Sequence, residues 1–168
     1  MLLAEVVKRL QNLLSPQCKK MNNKDIQDML IKHEGLVCNL YKCSMSANSI
    51  GVGRNLDANG ISEEEAMFLL QNDIDRVIAE LDDNLQGWRA WPLKARMVCI
   101  DMTFQMGLQG FLGFRRTIGL MQMGMWLEAS EELLDSKYYT QTPSRALYNS
   151  RQLSLCQNGQ KDIGRSSK

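Results

Sequence analysis

The spacing of apolar and polar positions divides the chain into helical stretches and one short stretch of a different kind. Over residues 1–14, Leu3, Val6, Val7, Leu10, Leu13 and Leu14 recur at helical spacing between Glu5, Lys8 and Arg9. This predicts an amphipathic surface helix rather than a signal peptide or membrane anchor. Residues 24–34 repeat the pattern through Ile26, Met29, Leu30 and His33. From Gly35 to Leu56 the chain is punctuated by Gly and Ser and contains the strand-like run Ser49-Ile50-Gly51-Val52-Gly53. A small antiparallel sheet with its turn near residues 44–48 is expected there. Gly51 and Gly53 alternate with Ile50 and Val52, which would leave one strand face without side chains, a mark of close approach by a backbone or ligand.

Asn59-Gly60 signals a turn, and Ser62-Glu63-Glu64-Glu65 fits a capping box at the start of a helix. The apolar positions Ala66, Leu69, Leu70, Ile74, Ile78 and Leu81 continue it as one long helix to about residues 84–87. Trp91-Pro92 opens a second helix, apolar around much of its circumference through Leu93, Met97, Val98, Ile100 and Phe104, as a buried central helix would be. Gly107, Gly110 and Gly113 are expected to break the chain ahead of helices near 114–123 and 126–135. A last helix should run from Thr142-Pro143 to before Gly159. The class predicted is α+β: a helical extension over 1–23, a domain over 24–158 with a β-hairpin lobe and a helical lobe joined by the long helix, and a polar tail over 159–168.

Composition narrows the function classes. A chain of 168 residues is one domain, or two small lobes sharing a helix, and its 44% apolar content suffices for a core. The formal charge of +1 predicts no strong attraction to nucleic acid or to an anionic membrane, and no segment is apolar enough for long enough to span a bilayer. The five cysteines, Cys18, Cys38, Cys43, Cys99 and Cys156, are odd in number and include no CxxC pair. They suggest neither a disulfide framework nor a zinc site, and fit a reduced compartment such as the cytoplasm. Cys99 lies in an apolar helical run and reads as core. The sequence calls for no metal or other cofactor.

Candidate chemistry begins at Glu34, which follows the single histidine at a helix end before Gly35. Taken alone it reads as an exposed surface carboxylate. A helix C-terminus, however, disfavours negative charge, and a carboxyl kept protonated beside a Gly-rich hairpin is what a general acid for glycoside cleavage requires. The order Glu34-Gly35-Leu36, Tyr41-Lys42, Ser49-Ile50-Gly51-Val52-Gly53 resembles the catalytic region of the T-even phage lysozyme family, glycoside hydrolase family 24. That family's motif is Glu, eight residues, Asp or Cys, five residues, Thr; Glu34, Cys43 and Ser49 keep the intervals. The similarity continues through Asp101–Gly107, Gly110, Gly113-Phe114, Trp126 and Tyr139–Arg145, so it spans about residues 24–158.

The resemblance implies a fold of two lobes with the glycan held between them. It also implies a metal-free muramidase acting on bacterial peptidoglycan at the β-1,4 bond between N-acetylmuramic acid and N-acetylglucosamine. Glu34 would protonate the glycosidic oxygen, with Cys43 across the scissile bond as base, nucleophile or stabiliser of charge. Read without the motif, Cys43 is a buried structural cysteine and Ser49 a plain strand serine. Ser49 stands where the family has threonine; it would position water, more loosely for want of a methyl. Phe104 and Gln105 would line the cleft, Phe104 packing in the core as well. Arg145 would pair with Glu34, Gln141 and Thr142 would support the site, and Arg54 reads as a substrate contact or a solvated surface residue. The short segment after Gly53 implies a smaller hairpin lobe and a more open cleft. In biological terms the resemblance implies a monomer that accumulates in the host cytoplasm and reaches the wall through a holin-type pore at lysis, with virion-associated use a further option. Cys43 and Ser49 also admit a catalytically weakened lysozyme-fold module that binds peptidoglycan or serves in a virion.

Overall fold

The computed structural model describes residues 22–156. The described residues form two compact units, divided between Ser62 and Glu63. The expected helices over 1–14 and the tail over 159–168 lie outside the described residues.

The first unit opens with α1 (Asn23–Glu34), capped at its start by Asn22, whose side chain accepts from the Lys24 N–H at 3.1 Å. Asp25 in the first turn and Lys32 and His33 in the last complement the helix dipole. Gly35 ends the helix at φ 77°, returning its N–H to the Ile31 carbonyl at 2.9 Å. An antiparallel sheet in the order β1-β2-β3 follows, with β1 (Val37–Lys42), β2 (Asn48–Gly51) and β3 (Arg54–Asn55). The β1–β2 ladder pairs Val37 with Gly51 but Tyr41 with Ser49, so β1 carries an irregularity between those pairs. A short helix, α2 (Leu56–Asn59), closes the unit between the Asn55 cap and Gly60.

Two expectations for this region are corrected. Ser49–Gly53 is not one strand: β2 stops at Gly51, the chain turns, and β3 begins at Arg54. Gly51 and Gly53 both sit at positive φ, 68° and 72°, so glycine is needed to turn the chain rather than to bare a strand face. The third strand and α2 are additions, too short to leave a periodic signal.

The second unit begins with α3 (Glu63–Asn84), directly after Ser62, with three glutamates in its first turn. Val77 and Leu81 bury its C-terminal half against the core. Asp82 fastens the following 3-10 turn (Trp88–Ala90), accepting from Trp88 Nε1 at 3.0 Å and from Arg89 Nε and Nη2 at 2.7 and 2.6 Å. The central helix α4 (Leu93–Leu112) buries Ala95, Val98, Cys99, Met102, Thr103 and Phe111, while Leu93, Met97 and Phe104 remain exposed. Around it lie α5 (Arg115–Gln122), α6 (Trp126–Leu134), α7 (Lys137–Gln141) and α8 (Pro143–Ser154). Ile118, Met121, Trp126, Ala129, Leu133, Tyr138, Ala146 and Leu153 complete the core. The glycines of α4 act differently from one another. Only Gly107 leaves helical geometry, at φ 73° and ψ 163°, and helical turns resume to Leu112. Gly110 stays helical, and its lack of a side chain makes room for Met106, whose Cγ a Cβ there would meet at 2.9 Å. No described helix is long and apolar enough to cross a membrane.

Candidate functional site

Four of the sequence-derived candidates, Glu34, Cys43, Ser49 and Arg54, lie in the first unit. Glu34 is the last residue of α1 and is exposed to solvent. Its Oε2 lies 3.6 Å from where a Cβ on Gly53 would stand, so the turn between β2 and β3 comes up against the carboxylate. The close approach expected of a glycine is therefore real, although its setting is a turn. An alanine at position 53 would fit that space but not the backbone. Gly53→Ala is expected to cost about 1–2 kcal/mol for a left-handed non-glycine residue, read as a lower denaturation midpoint.

Cys43 and Ser49 are brought together by the β1–β2 turn. Cys43 follows β1 and donates its N–H to the Ala47 carbonyl at 3.0 Å, while its own carbonyl accepts from the Ser46 N–H at 2.8 Å. Ser46 takes the left-handed conformation that this tight turn requires, φ 62°. Ser49 is enclosed at 1% exposure in the middle strand, paired with Tyr41 on one side and Asn55 on the other. The turn surrounds the Cys43 sulfur with donors: the backbone N–H groups of Met45 and then Ala47, outweighing partial burial, with the Ser49 hydroxyl adding to them, hold the thiol below its ordinary pKa. Cys99 shows the opposite environment, burial in the core pushing its thiol up to about 12. Cys43 is thus set apart chemically, as an accessible sulfur whose anion is stabilised. Arg54 donates Nε to the Gly60 carbonyl at 2.8 Å, fastening the end of α2.

The second unit gathers the remaining candidates around two cavities. One, of about 320 Å³, is lined by Leu70, Ile74, Met97, Ile100, Asp101, Phe104 and Arg145. Phe104 is 42% exposed there, presenting its ring to the cavity rather than packing wholly into the core. The other, of about 410 Å³, brings together Gln105, Gln141 and Thr142 with Met106, Gly110, Phe114, Lys137 and Tyr138. A hydrogen-bond chain that sequence reasoning missed connects the two. Arg145 donates Nε and Nη2 to Asp101, the shortest at 2.8 Å. Asn149 Nδ2 donates to Asp101 Oδ2 at 2.7 Å and to the Tyr138 hydroxyl at 3.1 Å, and that hydroxyl donates to Gln105 Oε1 at 3.1 Å. Burial pushes the Tyr138 hydroxyl's pKa up, keeping it the donor that Gln105 needs. Among the described residues no group of three or more His, Cys, Asp or Glu side chains is placed to hold a metal ion.

No family model matches the chain. Curated relatives do. Over 72% of its length the chain is 25% identical to Probable T4-type lysozyme 1 of Dictyostelium discoideum and 26% identical to Probable T4-type lysozyme 2 of the same organism, in each case across 88% of the relative. A mixed fold of helices with one small antiparallel sheet, carrying an acid at a helix end and a cysteine–serine pair at the sheet's turn, is thus similar in sequence to T4-type lysozymes.

Proposed function

We propose that the chain is a lysozyme-type glycoside hydrolase, a muramidase that cleaves the β-1,4 bond between N-acetylmuramic acid and N-acetylglucosamine in bacterial peptidoglycan. The observation that carries this reading is the pairing of Cys43 with Ser49 in a turn that stabilises a thiolate, in a unit that also holds Glu34 at a helix end. In the proposed reaction Glu34 gives its proton to the glycosidic oxygen as the bond to the anomeric carbon breaks. The Cys43 thiolate faces the positive charge left on the sugar and takes the proton of the attacking water, while the enclosed Ser49 hydroxyl holds that sulfur in place. Arg145 donates Nε and Nη2 to Asp101 within the second unit, which fixes the direction of its guanidinium. Phe104, Gln105, Gln141 and Arg54 are the residues we assign to glycan contact. We place this activity in phage-mediated lysis of the host cell, with passage to the wall through a holin-type pore.

The test is digestion of purified peptidoglycan followed by borohydride reduction of the new ends. Muramitol in the products is expected. Recovery of glucosaminitol alone would overturn the muramidase assignment. The thiol in place of a carboxylate favours one second reading, a module that binds the wall without cutting it. Retention on insoluble peptidoglycan with no new reducing ends would establish that reading instead.

A further inference from the structure

We propose that Asp57 is a positioning residue for the Cys43–Ser49 pair, acting through Asn48. Asp57 lies in the first turn of α2, a helix fixed at both ends: Asn55 accepts from the Ala58 N–H at 3.0 Å, and Arg54 Nε reaches the Gly60 carbonyl at 2.8 Å. From that base the carboxylate grips Asn48 twice. Oδ2 accepts the backbone N–H and Oδ1 the side-chain Nδ2, both at 2.9 Å. Asn48 is the residue between the Cys43–Ala47 turn and Ser49. Holding it therefore sets where Ala47 leaves the turn and where Ser49 enters β2, and with them the donors that face the Cys43 sulfur.

The clamp is present at neutral pH. The Asn48 backbone N–H, the Asn48 side chain and the charge of Lys42 hold the Asp57 carboxyl below the ordinary carboxylate range, so it stays ionised. Lys42 is the charged group that faces it, across the ladder from Asn48. Both bonds are solvent-exposed, and exposed contacts of this kind contribute little to global stability. The effect of losing them should therefore be on placement of the turn, with Tm lowered by no more than about 4 °C. For its catalytic consequence the proposal rests on the muramidase reading; for its geometry it does not.

The experiment follows alkylation of the full chain by iodoacetamide across pH, with peptide mapping to separate Cys43 from Cys38, the exposed cysteine of β1 that serves as internal reference. In Asp57→Ala the midpoint for Cys43 should rise by about half a pH unit or more, a roughly threefold slower reaction below the midpoint, with Cys38 unchanged. Asn48→Ala keeps the backbone bond to Asp57 and should give a smaller shift of the same sign. If Asp57→Ala loses the hairpin, Asn48→Ala decides by the same criterion. Wild-type profiles at Cys43 in both variants overturn the proposal. Parallel changes at Cys38 and Cys43 overturn it as well, since Asp57 would then support the whole hairpin. In hydrolysis, Asp57→Ala should lower kcat with KM unchanged. A wild-type chain that hydrolyses nothing would remove the muramidase reading and leave the thiol profile to judge the clamp.

Discussion

Glu34→Gln is expected to reduce peptidoglycan hydrolysis by about 10²–10⁴-fold, the contribution of a positioned general acid. The substitution keeps the size and shape of the side chain and removes only the transferable proton. Glu34 is exposed at the end of α1, and its Oε2 faces Gly53, so an amide fits where the carboxyl was. Thermal unfolding should therefore match wild type, and binding to insoluble peptidoglycan should persist. The measurement is the release of reducing ends from purified walls at matched protein concentration. Equal rates for the two proteins would sink the role given to Glu34, while leaving open hydrolysis driven from Cys43.

The largest effect on stability is expected at Asn149. This side chain is 0% exposed in the second unit and joins Asp101 to Tyr138 through one amide nitrogen. Asn149→Ala removes a hydrogen bond to a carboxylate and another to a buried hydroxyl, and leaves a void as well. The expected cost is on the order of 3 kcal/mol, which for a chain of this size lowers Tm by about 6–12 °C. Asn149 Oδ1 has no hydrogen-bond partner among the described residues, so the substitution also relieves one unsatisfied buried atom and keeps the loss at this level. Activity should fall at the same time, because Tyr138 aims Gln105 and Asp101 aims Arg145. Differential scanning calorimetry beside the hydrolysis assay separates the two effects. A Tm within 2 °C of wild type, a bound set by roughly 2–4 °C per kcal/mol, would show that the chain of bonds is not cooperative.

Which features the sequence made legible follows from the range of the interactions behind them. The helices α1, α3, α4, α5, α6 and α8 were expected from apolar spacing and from end signals such as Gly35 and Pro143, because local geometry decides them. The elements that escaped, β3, α2 and α7, have two, four and five residues, fewer than two repeats of any informative pattern. Glycine was read with mixed success. Its conformational freedom is used at Gly51, Gly53 and Gly107, whereas its small size is used at Gly110, and a sequence shows only that the residue is glycine. In the candidate site, Glu34, Cys43 and Ser49 were singled out because their intervals resemble a family motif. The Asp101–Asn149–Tyr138–Gln105 chain was not, because its links join residues up to 48 positions apart. Asp57 had a faint local signal, an acid two places after the capping Asn55, but nothing in that signal points to Asn48.

Ser49 has a consequence that reaches beyond its own contacts. A serine in place of threonine lacks the methyl group that narrows the choice of rotamer, and the sequence suggested a looser hydroxyl. Yet the residue is walled in on the middle strand, with neighbours on both flanks and almost no surface open to water. The rotational entropy that a β-methyl would remove is removed here by the walls of the site. A threonine at this position would therefore gain little from its methyl group, so long as the strand that encloses it is intact.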